Sequence, residues 1–243
     1  MLTSFSFEIS VWEPLQQFIT NVKSLDYQYI GELIPVLIKY LGVTIEMTLY
    51  GFFFAMIIAI FVAVIRVFKI PVASQLASLY ISFFRGTPLL VQLFLFYYGL
   101  PQLLPVLSGL NAFSAAVIGL SLHFSAYMAE SIRAAILGID KSQMEACFSV
   151  GMTRLQGMYR IILPQSARVA TPSLMNHFID MLKSTSLAFT LGVAEIMAKA
   201  QMEASSSFKF FESFIAVALI YWVVVLFFTQ VQKLLENRLS RAY

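Results

Sequence analysis

Charged residues are scarce in this sequence of 243 residues: only 12% are Asp, Glu, Lys or Arg, whereas 59% are hydrophobic. So few polar side chains cannot cover a soluble domain of this size, and the composition therefore predicts an integral membrane protein. The N-terminus also lacks the basic region that precedes the apolar core of a cleaved signal peptide. We therefore expect the membrane spans themselves to direct insertion.

Cysteine and histidine are also scarce, with one and two residues respectively. The single Cys147 excludes an intrachain disulfide and a multi-cysteine metal site. No clustered metal ligands and no nucleophile–base pair stand out, so the sequence does not favour an intramembrane enzyme. The glycine spacing that cradles phosphates precedes neither Lys141-Ser142 nor Lys183-Ser184. We expect no metal, no cofactor and no ATP site on this chain, and no nucleic-acid partner.

Five apolar segments approach the length of about 20 residues that a helix needs to cross the hydrocarbon core. The longest uncharged stretch, residues 86–129, covers 44 residues and has turn-forming residues at 101–111 in its middle, so it predicts two spans. The first of these two begins near Leu79, and the second ends near Glu130. The other predicted spans are residues 43–65, the weakly apolar 174–198, and 213–232.

Lysine and arginine favour the cytoplasmic side of a membrane, and their placement predicts the orientation. With the N-terminus outside and the C-terminus in the cytoplasm, twelve of the 16 lysines and arginines fall on the cytoplasmic side. Residues 43–243 then form one membrane domain with a cytoplasmic loop at about 134–170. Residues 1–42 are either an extracytoplasmic interfacial segment or a poorly ordered tail.

The cytoplasmic loop contains Glu145-Ala146-Cys147, then Gly151, then Ile161-Ile162-Leu163-Pro164. Ser142 and Glu145 have the spacing of a capping box, which predicts a helix that begins near Gln143. Gly151 can end this helix in a left-handed conformation, Thr153 can cap a second helix, and Pro164 can interrupt it. The pattern therefore predicts a helix, a bend and a helix. The alternative is an ordinary helical hairpin between two spans.

This loop resembles the EAA loop of bacterial ABC importer permeases, in which alanine is usual at the position of Cys147. Three further segments support the resemblance: 84–92, which reads Phe-Arg-Gly-Thr-Pro-Leu-Leu-Val-Gln, 126–133, and 183–187. Ser184 departs from the family, where that position is more usually acidic or an amide. Over most of residues 40–240 the chain is similar to the permeases for polar amino acids such as histidine, glutamine, arginine and cystine.

The resemblance implies an all-α type I ABC importer permease with about five transmembrane helices, located in the bacterial cytoplasmic membrane. It implies two ATP-binding subunits that carry ATP and Mg, an identical or related second permease subunit, and an extracytoplasmic amino-acid-binding protein. It also implies a motif at the entry of span two, formed by Arg85, Gly86, Thr87 and Pro88. The residues that it assigns to ATPase coupling are Ser142, Gln143, Met144, Glu145, Ala146, Cys147, Gly151, Arg154, Ile161, Leu163 and Pro164.

Polar residues inside predicted spans are candidates for a substrate pathway, because they are costly in the bilayer. His123 and Tyr127 share one face of span three. On span four the candidates are Asp180, Lys183, Ser184, Thr185 and Ser186. The alternative is polar packing, in which Asp180 pairs with Lys183 and His123 satisfies a backbone group.

The predicted function is ATP-driven import of a polar amino acid. Residues 142–147 resemble the corresponding segment of permeases for cystine and related sulfur amino acids. The alternative function is an ion-gradient-driven secondary transporter. That alternative is disfavoured because the sequence has no inverted halves.

Overall fold

The computed structural model describes residues 12–23 and 25–240, and the regular structure within these ranges is helical. Two π-helical turns, Leu95–Gly99 and Met158–Ile162, and two 3-10 segments, Pro105–Leu107 and Thr185–Leu191, interrupt or connect the α-helices. The α-helices are α1 (Trp12–Lys23), α2 (Tyr27–Ile38), α3 (Leu41–Val67), α4 (Ala73–Gly86), α5 (Leu89–Phe94), α6 (Leu100–Leu103), α7 (Ala112–Leu137), α8 (Lys141–Ser149), α9 (Arg154–Gly157), α10 (Leu163–Ser184), α11 (Ile196–Ser207) and α12 (Phe210–Ser240).

Three helices in the described ranges are long and apolar enough to cross a membrane: α3, α7 and α12. They correspond to predicted spans one, three and five, which are thereby found as continuous helices. A fourth crossing is available if α4 and the helical segment Leu89–Leu103 form one broken span. The described helices thus account for three or four crossings, whereas the sequence predicted five.

Predicted span two is not a continuous helix. The axes of α4 and of the segment that begins at Leu89 differ by 109°. Thr87 and Pro88 between them are both extended, with ψ of 147° and 137°. The residue before a proline is disfavoured in the α conformation, and proline itself has no N–H to donate to a preceding turn. The chain therefore turns sharply within the stretch that the sequence predicted as span two.

Predicted span four, residues 174–198, is also not one helix. Helix α10 ends at Ser184, a 3-10 segment follows, and Gly192 adopts a left-handed conformation with φ of 91° before α11 begins. The Ser184 hydroxyl donates to the Asp180 carbonyl at 2.8 Å, and the Thr185 hydroxyl donates to the Leu182 carbonyl at 2.6 Å. Such local side-chain hydrogen bonds compete with regular helix bonding, and they accumulate where α10 ends.

The main core is the contact between α3 and α7, together with α4, α5 and part of α10. Small residues recur every fourth position on the buried face of α3, at Gly51, Ala55, Ala59 and Ala63. A Cβ atom at Gly51 would lie 3.0 Å from Sδ of Met181. Small residues allow helix backbones to approach closely inside a membrane, where apolar burial alone does not drive association.

A second core joins α2 to α11 and α12 through residues such as Leu33, Leu37 and Ile196. Asp26 caps α2 by accepting from the Tyr29 amide at 2.9 Å, and it also forms an ion pair with Lys209 at 2.7 Å. The ammonium of Lys209, followed by the Tyr29 amide, holds the pKa of Asp26 below its usual value. Residues 27–38 are therefore part of the packed helical body, while residues 1–11 lie outside the described ranges.

Candidate functional site

The hairpin formed by α8 and α9 begins at Asp140, whose carboxylate accepts from the Ser142 amide at 2.8 Å. This hydrogen bond holds the pKa of Asp140 below its usual value. The predicted capping box of Ser142 and Glu145 is therefore wrong. The helix begins at Lys141, because the carboxylate of Asp140 already satisfies a free amide of the first turn. Glu145 is exposed on the surface of α8.

Gly151 ends α8 in the left-handed conformation that the sequence predicted, with φ of 80°. The Met152 amide donates to the Cys147 carbonyl at 2.9 Å, and the Gly151 amide donates to the Phe148 carbonyl at 3.0 Å. These two bonds form a Schellman motif, which satisfies the last carbonyls of a helix. The bend between α8 and α9 therefore has a defined hydrogen-bonded geometry.

Thr153 begins α9 with a complete capping box, which confirms the predicted second cap. The Thr153 amide donates to Gln156 Oε1 at 2.9 Å, and the Gln156 amide donates to Thr153 Oγ1 at 3.3 Å. Both sides of the bend are thus closed by local hydrogen bonds. The hairpin has little freedom to change its angle without breaking one of these caps.

The two helices of the hairpin cross at Cys147 and Gly157. A Cβ atom at Gly157 would lie 3.0 Å from Sδ of Met144 and 3.1 Å from Cβ of Cys147. Cys147 is 4% exposed, so its side chain fills this crossing. Position 147 needs a small side chain, which explains in physical terms why cysteine can replace alanine there. The sequence analysis did not predict the role of Gly157. The only local indication is that a glycine occurs four residues after the helix cap Thr153.

Pro164 does not end the second helix, contrary to the sequence prediction. The chain passes from α9 through the π turn Met158–Ile162 directly into α10, whose first turn contains Pro164. The Leu163 amide donates to the Met158 carbonyl across this π turn. A proline in the first turn of a helix is tolerated because its missing N–H is not needed there. The Gln165 side-chain amide also donates to Gln143 Oε1 at 3.3 Å, which links α10 back to α8.

The outer surface of the hairpin carries large apolar side chains. Four large apolar side chains there are more than half exposed: Phe148, Val150, Leu155 and Tyr159. We call these four residues the hairpin face. None of these four residues is among those assigned to coupling from the sequence. Apart from the buried Cys147, the assigned residues divide between exposed Ser142, Gln143, Glu145, Ala146, Gly151, Arg154 and Pro164, and partly buried Met144, Ile161 and Leu163. Large apolar side chains that are exposed together on one short segment are typical of a protein interaction site.

A second group of polar residues lies in the membrane region, at the break between α4 and α5. Gln92 is 1% exposed, and its amide nitrogen contacts the Phe84 carbonyl at 3.0 Å and the Thr87 carbonyl at 3.1 Å. Its amide oxygen lies 3.0 Å from Nδ1 of His123. The break leaves backbone carbonyl groups without helical partners, and a buried carbonyl needs a hydrogen-bond donor. The side-chain amide of Gln92 supplies this donor. Gln92 therefore braces the break and connects it to α7.

Tyr127 lies at the centre of the same region. The guanidinium of Arg85 is 5.3 Å from the centre of its ring, and the rings of His123 and His177 are 5.1 and 6.2 Å from it. The His177 ring nitrogen Nε2 lies 2.9 Å from the Ser131 hydroxyl. Helices α4, α5, α7 and α10 thus contribute to one polar cluster, which consists of Arg85, Gln92, His123, Tyr127, Ser131 and His177.

The structure brings His123 and Tyr127 together as the sequence predicted, and it pairs His123 with a side-chain amide rather than a backbone group. His177 and Ser131 were missed. His177 precedes Asp180 by three residues on α10, so helical periodicity could have indicated it. Asp180 and Lys183 form an ion pair with each other at 2.8 Å, with both side chains about half exposed. The hydroxyls of Ser184, Thr185 and Ser186 donate to carbonyls of the same segment.

Comparison with known protein families decides the broader assignment. The family model described as "Binding-protein-dependent transport system inner membrane component" matches residues 51–241. The chain belongs to this family. The resemblance drawn from the EAA loop is thereby confirmed, and this inner membrane component is a multi-pass protein of the cytoplasmic membrane.

Several known relatives of this inner membrane component are named as amino-acid permeases. The chain is 70% identical over 218 residues, 90% of its length and 98% of the relative's, to the probable amino-acid ABC transporter permease protein PatM of Vibrio harveyi. It is 50% identical over 222 residues, covering 91% and 99% of the two chains, to the probable amino-acid permease protein YxeN of Bacillus subtilis. It is 38% identical over 223 residues, covering 90% and 93%, to the L-cystine transport system permease protein TcyL of Bacillus subtilis.

Solved structures share the fold of this inner membrane component. A crystal structure of an amino acid ABC transporter with histidines matches with a TM-score of 0.81 and 36% identity, covering 88% of this chain and 99% of that one. An inward-facing MetNI methionine ABC transporter matches with a TM-score of 0.65 at 16% identity, covering 82% and 95%, which shows a common fold. The all-α importer-permease fold is confirmed, while the count of five spans and the orientation of the termini stay predictions.

The brace at Gln92 can be tested by Gln92→Met, which keeps the side-chain volume but removes the donor. We expect the buried carbonyls of Phe84 and Thr87 to be left unpaired, at a cost of about 1 to 3 kcal/mol. The Tm of the purified protein in detergent should then fall by roughly 2 to 12 °C. The control is Gln102→Met, since the Gln102 amide donates to the Tyr98 carbonyl on the exposed surface. Equal Tm values for the two variants would contradict the brace.

Proposed function

We propose that this chain is the permease subunit of an ATP-driven ABC importer that carries a polar amino acid across the cytoplasmic membrane. Family membership and the names of the relatives support this function. The observation that carries it is the α8–α9 hairpin: both of its helices are capped, and it continues without interruption into α10. Such a hairpin can transmit a displacement from a cytoplasmic partner to the membrane helices.

The partner of the hairpin face is one of two ATP-binding subunits, which hold ATP and Mg while this chain holds neither. Phe148, Val150, Leu155 and Tyr159 offer the apolar contact area for docking. Displacement of the docked hairpin reaches α10 through the π turn, and α10 packs on both α7 and α12. Reversing a 1:99 conformational equilibrium requires about 5.5 kcal/mol. If the connection between the hairpin and α10 were flexible, nucleotide binding would move the hairpin without moving the membrane helices.

The complete importer contains a second membrane subunit, identical or related, and an extracytoplasmic amino-acid-binding protein. We place the N-terminus outside and the hairpin in the cytoplasm, because lysine and arginine are concentrated on the hairpin's side of the membrane. Residues 1–42 then form an extracytoplasmic segment, within which α2 packs against α11 and α12. This placement sets α2 at the side from which a loaded binding protein approaches.

The polar cluster is the candidate contact site for the substrate, and its chemistry suits an amino acid. Arg85 can attract a carboxylate, while Tyr127 and the two histidines offer hydrogen-bonding groups and ring faces. Asp180 and Lys183 are placed in the pathway only if their mutual ion pair opens. We further propose that the amino acid is cystine or another sulfur amino acid. The names of TcyL and of a second L-cystine transport system permease protein of Bacillus subtilis, TcyB, support this proposal, since these proteins are 38% and 41% identical to this chain.

An ion-gradient-driven secondary transporter is the alternative, and no specific observation favours it. Alternating access in many such transporters uses paired repeats of inverted topology, and the sequence shows no such halves. The hairpin face would also have no function in a transporter that works without an ATPase.

The first test of coupling uses Gly151→Val. Apart from its neighbours in the chain, no residue comes within 4 Å of a Cβ atom at Gly151, so the variant is strained by its φ of 80° and not by packing contacts. That strain is about 1 to 3 kcal/mol and should distort the Schellman motif. In complex with the ATPase and the binding protein, we expect ATP hydrolysis to lose its stimulation by the loaded binding protein.

The matched variant Gly151→Asn should keep most of the stimulation, because asparagine adopts the left-handed conformation more readily than valine. Both variants must assemble with the ATPase at the wild-type ratio. Full stimulation of the Gly151→Val complex would remove the hairpin from the coupling path.

The orientation can be tested with a membrane-impermeant maleimide. The thiol of Cys147 is buried at the crossing of α8 and α9, so the wild-type chain should react slowly from either side. The neighbouring Phe148→Cys places a thiol on the hairpin face and should react rapidly in inside-out vesicles but not in intact cells. Bound ATPase should protect it. Rapid reaction in intact cells would reverse the proposed orientation.

A further inference from the structure

A cavity of about 410 Å³ lies where α3 ends, α4 begins and α7 ends. Three of its lining side chains are cationic: Arg66 from the last turn of α3, Lys69 from the following loop, and Arg133 from α7. Ser74 and Gln75 add polar groups from the first turn of α4. A concave site with several convergent cations and hydrogen-bonding groups is suited to an anion with several oxygen atoms.

The charges around this cavity are not balanced. Glu130 pairs with Arg133 at 2.7 Å and with Arg66 at 3.7 Å, and Arg66 also donates to the Ser78 hydroxyl. Lys69 makes no ion pair with any residue that the structure describes. Three cations therefore line the cavity while one carboxylate pairs with two of them, so two positive charges in the cavity wall are not compensated by these ion pairs.

The surroundings of the cavity are apolar and exposed. Phe68, Ile70 and Val72 in the loop, Leu76 on α4 and Leu137 at the end of α7 all have exposed side chains. The cavity is also at the end of α3, which is the most apolar of the membrane-spanning helices. A soluble anion needs no such apolar rim, whereas the acyl chains of a lipid do.

We propose that this cavity binds the phosphate of an anionic phospholipid, with Arg66, Lys69 and Arg133 around the headgroup and its acyl chains on the apolar rim. Basic pockets between membrane helices at the bilayer edge are suited to such headgroups. The bound lipid would connect the ends of α3 and α7 to the start of α4, next to the broken span. The site is independent of the coupling role of the hairpin.

The test uses the purified full-length chain in zwitterionic detergent micelles, with lipid binding measured by native mass spectrometry. We expect phosphatidylglycerol to bind in preference to phosphatidylcholine. Lys69→Gln, which keeps the side-chain length, should weaken phosphatidylglycerol binding about fivefold, since one lysine near a membrane surface contributes about 1 kcal/mol to anionic lipid binding. Lys69→Arg should retain wild-type binding. Lys39→Gln removes an exposed lysine next to α2 and should also have no effect.

Three results would overturn the proposal. The first is equal binding of the two lipids, and the second is unchanged phosphatidylglycerol binding in Lys69→Gln. The third is displacement of the lipid by inorganic phosphate at a similar concentration, which would assign the cavity to a soluble phosphate instead. Equal Tm values of wild type and Lys69→Gln in micelles without phosphatidylglycerol exclude misfolding as the cause of weaker binding.

Discussion

Close contact between α3 and α7 is the constraint on which the rest of this membrane protein depends. Because lipid and protein interior are similarly apolar, these helices cannot rely on burial of leucine or phenylalanine for their association. The small residues from Gly51 to Ala63 allow the two backbones to approach, and Ser121 on α7 donates to the Gly51 carbonyl at 3.2 Å. Large aromatic side chains of α3, such as Phe53 and Phe61, face outward instead. Helices α4, α5 and α10 then pack on this rigid pair.

The irregular backbone between α4 and α5 packs next to the α3–α7 pair. The break at Thr87 and Pro88 would expose unpaired carbonyls to hydrocarbon, and the buried amide of Gln92 pairs them and reaches His123 on α7. In the α8–α9 hairpin, the bend is closed by two caps and by the tight crossing at Gly157. Both devices make the joints stiff, which a permease needs if displacement of a cytoplasmic hairpin is to change the exposure of a polar cluster inside the membrane.

Features of the fold that depend on local chemistry could be predicted from the sequence. Apolar segments of about 20 residues identified spans one, three and five, and the left-handed Gly151 and the Thr153 cap follow from residue type and spacing. Hydropathy reports how apolar a segment is and not the angle between successive helices. It could therefore not reveal that the chain turns by 109° at Thr87 and Pro88. Asp140 and Ser142 are both good caps, and only the observed hydrogen bond distinguishes them. The roles of Gln92, Gly157 and His177 arise from contacts between helices that are distant in sequence, which no local pattern contains.

In the proposed mechanism, ATP hydrolysis by partner subunits moves a polar amino acid through this chain. The most direct measurement is uptake of radiolabelled cystine, arginine, histidine and glutamine by proteoliposomes that contain the complex, with the binding protein on the outside and ATP enclosed. We predict that at least one amino acid accumulates against its gradient, that accumulation requires ATP, and that an ionophore does not abolish it. Accumulation that persists without ATP and collapses with the ionophore would contradict ATP-driven import.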